Sequence, residues 1–144
     1  MSGYLLDTNV ISELTRPDPN VQVTRWLDSV EESLLYLSVL TLGEIRQGLT
    51  VLTSGRRRST LEAWLDAELM SRFAGRVLPI DSSVADRWGR IAGDAQRRGT
   101  PLPVIDGLLA ATALHHNLAV VSRNVRDFAL PGLASFNPWE DGTA

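Results

Sequence analysis

The chain has 144 residues, a formal net charge of −3, 44% hydrophobic and 22% charged residues, which suits one soluble globular domain with a single core. Cysteine and lysine are absent and every basic residue is arginine, so disulfides, thiolate zinc sites, cysteine nucleophiles, a P-loop lysine and Schiff-base chemistry are excluded, leaving oxygen and imidazole as metal ligands. The apolar runs fall short of the roughly 18 residues of a membrane span, and the N-terminus lacks the basic-then-apolar layout of a signal peptide, so a cytoplasmic protein without membrane contact is expected.

Residues 3–6 read as a short buried strand ending at Asp7; Asp7, Thr8 and Asn9 then cap a helix running to about Leu14, where Pro17 and Pro19 stop it. Val23, Trp26, Leu27 and Val30 recur at helical spacing over 20–30, and Leu35 to Val39 reads as a strand. From Leu40 to Leu52 the stripe Leu42, Ile45, Leu49, Leu52 defines another helix, with Glu44 on its flank about 100° from Ile45. Gly55 and the Arg56-Arg57-Arg58 run form a turn into a helix burying Leu61, Trp64, Leu65, Leu69 and Phe73, which completes a helical hairpin.

Arg76 to Ile80 reads as a strand, and Asp81, Ser82 and Ser83 cap a helix that turns Val84, Trp88 and Ile91 inward and ends at Gly99. Pro101 and Pro103 introduce the last long helix, with Ile105, Leu108, Leu109 and Thr112 on one face, and Asp106 in or near the first turn beside Ala110 and Ala113. Leu118 to Val121 is a strand, Ser122-Arg123-Asn124 a polar turn, and Ala134 to Phe136 a short closing strand. Alternation of strands and helices predicts a three-layer α/β/α domain with a mainly parallel sheet of about five strands, spanning 1–144 with its core at about 3–139.

Three carboxylates interrupt this apolar pattern: Asp7, Glu44 and Asp106. A carboxylate prefers water, so several at the edges of apolar segments call for a cation among them, and a hard divalent ion suits oxygen ligands from distant parts of a chain. Ligands of open parallel sheets gather beyond the carboxyl ends of strands, where Asp7 and the Ser122-Arg123-Asn124 turn lie; Glu44 and Asp106 must reach that edge from helices. Each has a plainer role when taken singly: Asp7 as an N-cap, Glu44 as a solvated flank residue, Asp106 as a complement to the helix dipole. Only the ordered combination favours a metal site. Arg56 to Arg58 and Arg97-Arg98 read as exposed helix ends, His115-His116 lacks a metal-binding spacing, and the four tryptophans read as core or interface.

The segments Leu5-Leu6-Asp7-Thr8-Asn9-Val10-Ile11-Ser12-Glu13, Leu42-Gly43-Glu44-Ile45-Arg46-Gln47-Gly48, Ile105-Asp106-Gly107-Leu108-Leu109-Ala110-Ala111-Thr112-Ala113, Val121-Ser122-Arg123-Asn124 with Asp127-Phe128, and Phe136-Asn137-Pro138-Trp139 carry a resemblance. In this order the chain resembles the PIN-domain ribonucleases, specifically the toxins of bacterial VapBC-type pairs and their FitB-like branch. The resemblance implies a Mg²⁺-dependent endoribonuclease, with Mn²⁺ able to substitute, acting as the toxin of a type II toxin–antitoxin pair. It makes Asp7, Glu44 and Asp106 the acidic metal-site residues. The chain departs from the family at the fourth position, where many relatives carry an aspartate and this sequence has Asn124, with Asp127 three residues on. One Mg²⁺ is therefore expected, because three carboxylates attract a second divalent ion less than four.

Thr8, Ser122 and Arg123 are expected in support: the hydroxyls hydrogen-bonding a coordinated water or carboxylate, the guanidinium contacting a neighbouring phosphate. The resemblance further implies a cognate VapB- or FitA-like antitoxin that covers the acidic pocket, a toxin homodimer, a larger complex with the antitoxin, and DNA contact through the antitoxin alone. Two other functions fit part of the pattern: a PIN-fold binding module weakened in catalysis, which Asn124 favours, and an aspartyl-phosphate hydrolase. Asn9 in place of a second aspartate and the absence of lysine oppose the latter.

Overall fold

A computed structural model describes residues 2–140. Five short strands, β1 (Tyr4–Leu6), β2 (Leu35–Ser38), β3 (Val77–Leu78), β4 (Ala119–Val121) and β5 (Ser135–Phe136), form an all-parallel sheet in the order β3-β2-β1-β4-β5. Helices α1 (Thr8–Glu13), α2 (Val21–Ser29), α3 (Val39–Thr50), α4 (Arg56–Ala63), α5 (Met70–Arg72), α6 (Ser82–Arg97) and α7 (Val104–His115) connect them. The expected α/β/α layering is present, and the sheet is parallel throughout rather than mainly so.

Alternation along the strands divides the interior into two cores, because successive side chains leave opposite faces of the pleat. Leu6, Leu35, Leu37 and Val121 enter the core shared with Val10, Ile11, Val23, Leu27, Ile45, Leu49, Leu65, Leu69 and Phe73, on the side of α1 to α4. Leu5 and Val120 point the other way, onto Leu109, Ala110, Ala113 and Phe128. The small face of α7 lets it lie close to the sheet, and α6 packs outside it. Gly107 marks that second contact: a Cβ there would stand 3.0 Å from the Trp88 indole.

Most element ends shift by a residue or two from the pattern-based expectation, and two of the shifts have a visible cause. β2 stops at Ser38 instead of Val39, because the Ser38 hydroxyl accepts the Leu40 N–H at 3.0 Å and turns the chain into α3. β3 is reduced to Val77–Leu78, since Pro79 has no N–H to give the ladder. The second arm of the hairpin also widens into a π-helical turn over Trp64–Leu69 before α5, a feature that apolar spacing does not reveal.

Strand order reverses around β1, which has β2 on one side and β4 on the other. The crevice of an open parallel sheet lies at such a reversal, outside the strands' carboxyl ends. Asp7 follows β1 and Ser122 follows β4 at that point, and the Asp7 N–H still reaches the Val121 carbonyl at 2.9 Å.

Candidate active site

Asp7 ends β1 in an extended conformation and caps α1, one carboxylate oxygen accepting the Thr8 N–H at 2.8 Å. The other oxygen accepts the Ser122 hydroxyl at 2.8 Å. Capping and site roles, which compete in the sequence, thus coexist in one side chain. Ser122 is fully buried, and its oxygen accepts from Asn9 Nδ2 at 3.2 Å and from the Asn124 N–H at 3.0 Å. With both incoming donors fixed, its own proton is directed to Asp7.

Glu44 arrives from the second turn of α3, half-buried on the flank of the stripe that buries Ile45 and Leu49. The Thr8 hydroxyl donates to Glu44 Oε1, which ties α3 to the start of α1 and leaves Oε2 available. Beside them a cleft of about 170 Å³ is lined by Thr8, Ser12, Glu44, Ile45, Leu61 and Trp64 among others. A larger cleft of about 640 Å³ touches Ser82, Asp86, Arg90 and His115 and includes none of the carboxylates expected at the site. The chemistry-bearing groups, not the volume, identify the candidate site.

Asp106 lies in the first turn of α7, half-buried. Burial raises its pKa above the ordinary carboxylate value, and the charges of Asp127, Asp7 and Glu44 raise it further, with no hydrogen bond among the described residues to offset them. Asp7 is raised as well, by burial first; the bonds from Ser122 and Thr8 pull against that, and Asp127 adds to it. These charges set Asp7, Glu44 and Asp127 within electrostatic reach of Asp106, and Asp127 within reach of Asp7. Among the described residues no three acidic or imidazole side chains stand close enough together to hold a metal ion as they are placed. The donor set is nonetheless all oxygen, anionic and partly desolvated, which fits a hard divalent ion that keeps several of its waters.

The fourth position divides between two residues. Asn124 is exposed and contributes its backbone N–H to Ser122, whereas Asp127, on the one-turn helix Val125–Phe128, is the charge felt at both Asp7 and Asp106. Arg123 is exposed, with its guanidinium carbon 5.3 Å from the centre of the Trp139 ring. Asn9 is the residue that sequence reasoning passed over: its amide donates to Ser122 and its oxygen accepts the Arg123 N–H at 3.3 Å, joining the β1 and β4 loops. The signal was its place two residues beyond a strand-ending aspartate, where a carboxamide can donate and accept at once.

The family model for the PIN domain matches residues 4–130. Toxin FitB of Neisseria gonorrhoeae is 42% identical over 137 residues, covering 95% of this chain and 99% of that protein. VapC ribonuclease Y4jK of Sinorhizobium fredii is 38% identical over 136 residues, covering 94% and 97%. The crystal structure of FitAcB from Neisseria gonorrhoeae superposes with a TM-score of 0.90 at 41% identity, covering 96% of this chain and 99% of that one. DNA-bound VapBC from Salmonella typhimurium superposes with a TM-score of 0.77 at 26% identity, covering 97% and 100%. Matched along most of its length both in sequence and in fold, the chain belongs to the PIN-domain family.

Proposed function

We propose that this chain is a Mg²⁺-dependent endoribonuclease, the toxin of a type II toxin–antitoxin pair, in which Asp7, Glu44 and Asp106 hold one metal ion. The observation that carries the reading is the Asp7 carboxylate, fixed by Thr8 and Ser122 at the reversal of strand order and repelled by Asp106 and Asp127 across the same edge. Relatives named as ribonucleases and as Toxin FitB support the activity and the biological role.

A hard divalent ion supplies charge for a phosphate oxygen and acidity for a bound water when it is present. The chain's own groups prepare the site for it. Ser122 and Thr8 fix both oxygens of Asp7, so little reorganisation is needed to present the carboxylate. Thr8 donates to Oε1 of Glu44, which leaves Oε2 to face the metal ion or a water that it would hold. Asp127 supplies the fourth negative charge that Asn124 lacks. Mn²⁺ meets the same oxygen donors and substitutes for Mg²⁺.

A cognate FitA- or VapB-like antitoxin covers the acidic edge in this reading, and DNA is reached only through it; the matched FitAB and VapBC structures are complexes, three of them bound to DNA. An anionic pocket favours a cationic side chain from such an inhibitor. The toxin acts as a homodimer in the cytoplasm. The test is cleavage of structured RNA by antitoxin-free protein with Mg²⁺, with Asp7→Asn and Asp106→Asn as controls. Loss of cleavage by about a hundredfold or more in both variants is expected. Cleavage at the parent's rate by either variant would overturn the mechanism, and a parent that folds but cleaves no RNA would favour the binding-module alternative.

A further inference from the structure

Arg123 stands one residue beyond Ser122, the donor that fixes Asp7, yet it forms no ion pair with a carboxylate among the described residues. That is unusual placement for a flexible cation on an edge that gathers Asp7, Glu44, Asp106 and Asp127, where collapse onto a carboxylate is electrostatically favoured. Its restraint has a visible cause. The guanidinium lies over the Trp139 indole, 5.3 Å from the ring centre.

The backbone is held as well. The Arg123 N–H donates to Asn9 Oδ1 at 3.3 Å, and its carbonyl accepts Asn137 Nδ2 at 3.2 Å. Asn137 in turn accepts the Trp139 N–H at 2.9 Å, so the residue that pins the Arg123 backbone also places the ring beneath its side chain. Pro138, between them, is buried, and Trp139 packs against the main core. The chain's last described segment thereby closes a clamp around one exposed cation.

We infer that Asn9, Asn137 and Trp139 hold Arg123 as a preset phosphate-binding arm, which takes an RNA phosphate flanking the one that would be cleaved. The inference rests on the ribonuclease reading above. A chain of net charge −3 must grip a polyanion through local cations. A stacked guanidinium keeps its in-plane donors free for two phosphate oxygens and has already lost much of its rotamer freedom. Asn9 and Asn137 are positioning residues here; Arg123 makes the contact.

The measurement is binding of a fluorescently labelled single-stranded RNA by anisotropy across a KCl series with magnesium, in an Asp106→Asn background that leaves the RNA intact. Arg123→Gln is expected to weaken binding about tenfold and to lower the slope of log K against log salt by about 0.7, the value for one phosphate on a single strand. Arg123→Lys should restore the slope but only part of the affinity, since a lysine keeps the charge and loses the fork. Trp139→Leu, which leaves the charge but frees it, should weaken binding while leaving the salt slope intact. An Arg123→Gln protein with unchanged affinity and slope overturns the inference, as does one altered only in its affinity for an inhibitory protein partner. If the Asp106→Asn chain binds no RNA and the parent cleaves none, the ribonuclease reading itself falls.

Discussion

Thr41 is fully buried on the inner face of α3, and its hydroxyl oxygen has no hydrogen-bond partner among the described residues. An unsatisfied hydroxyl in an apolar core costs free energy, so Thr41→Val should stabilise the protein by about 1 kcal/mol, read as a higher urea midpoint at unchanged slope. The acidic residues make the opposite kind of sacrifice. Asp7 and Asp106 have folded-state pKa values above the ordinary carboxylate range, burial being the first cause in each. A carboxyl of this kind holds its proton more tightly when folded; its contribution favours folding below the unfolded value of about 3.9 and is lost as pH rises through the folded-state value. Metal-free protein should therefore lose stability as pH climbs out of the acidic carboxylate range. Asp7→Asn should raise the Tm of protein in EDTA at neutral pH and change it little in acid, as scanning calorimetry would show. A Tm lowered at neutral pH would contradict this.

At the scale of elements, the sequence was most legible where apolar spacing is long and regular. α3, α6 and α7 lie within a few residues of their expected spans, and Ile45, Leu49, Val84, Leu109 and Thr112 of the expected stripes are buried, whereas Trp88 and Ile91 are only half-buried. Capping chemistry was legible at Asp7 and Asp81, each of which accepts a backbone N–H at a helix start, but not at Ser38, which the pattern placed inside a strand. The π turn at Trp64–Leu69 was not, since its register is set by what packs against Leu65 and Leu69. Nor did spacing disclose how tightly β1 enters the sheet. A Cβ on Gly3 would stand 2.6 Å from the Leu34 carbonyl oxygen, on a backbone with φ of +157°. Gly3→Ala should cost about 2 kcal/mol or more, because backbone must move to relieve it. Denaturant titration checks this, and a loss below about 0.5 kcal/mol would mean that β1 yields more easily than its contacts suggest.

For the whole molecule, the three carboxylates come from the end of one strand and from two helices of different layers, and the fold sets them against one another across the sheet edge. Such an arrangement couples metal binding to stability. Mg²⁺ at about a hundred times its Kd should add about 2.7 kcal/mol to unfolding free energy. The gain should shrink as pH falls, because protons compete for Asp7 and Asp106, and it should disappear in the Asp7→Asn, Asp106→Asn double variant; isothermal titration and thermal melts with and without EDTA measure both. The sequence by itself determined the layered architecture and a mainly parallel sheet, and it singled out Asp7, Glu44 and Asp106 as candidates, since periodicity, caps and the rarity of charge in apolar segments are local properties. Only the tertiary structure decided that Asp127 stands within electrostatic reach of Asp7 and Asp106, that Asn9 locks Ser122 onto Asp7, and that Trp139 carries Arg123. These are contacts between residues up to about a hundred or more positions apart, and their geometry depends on which strand lies beside which, which no local pattern encodes.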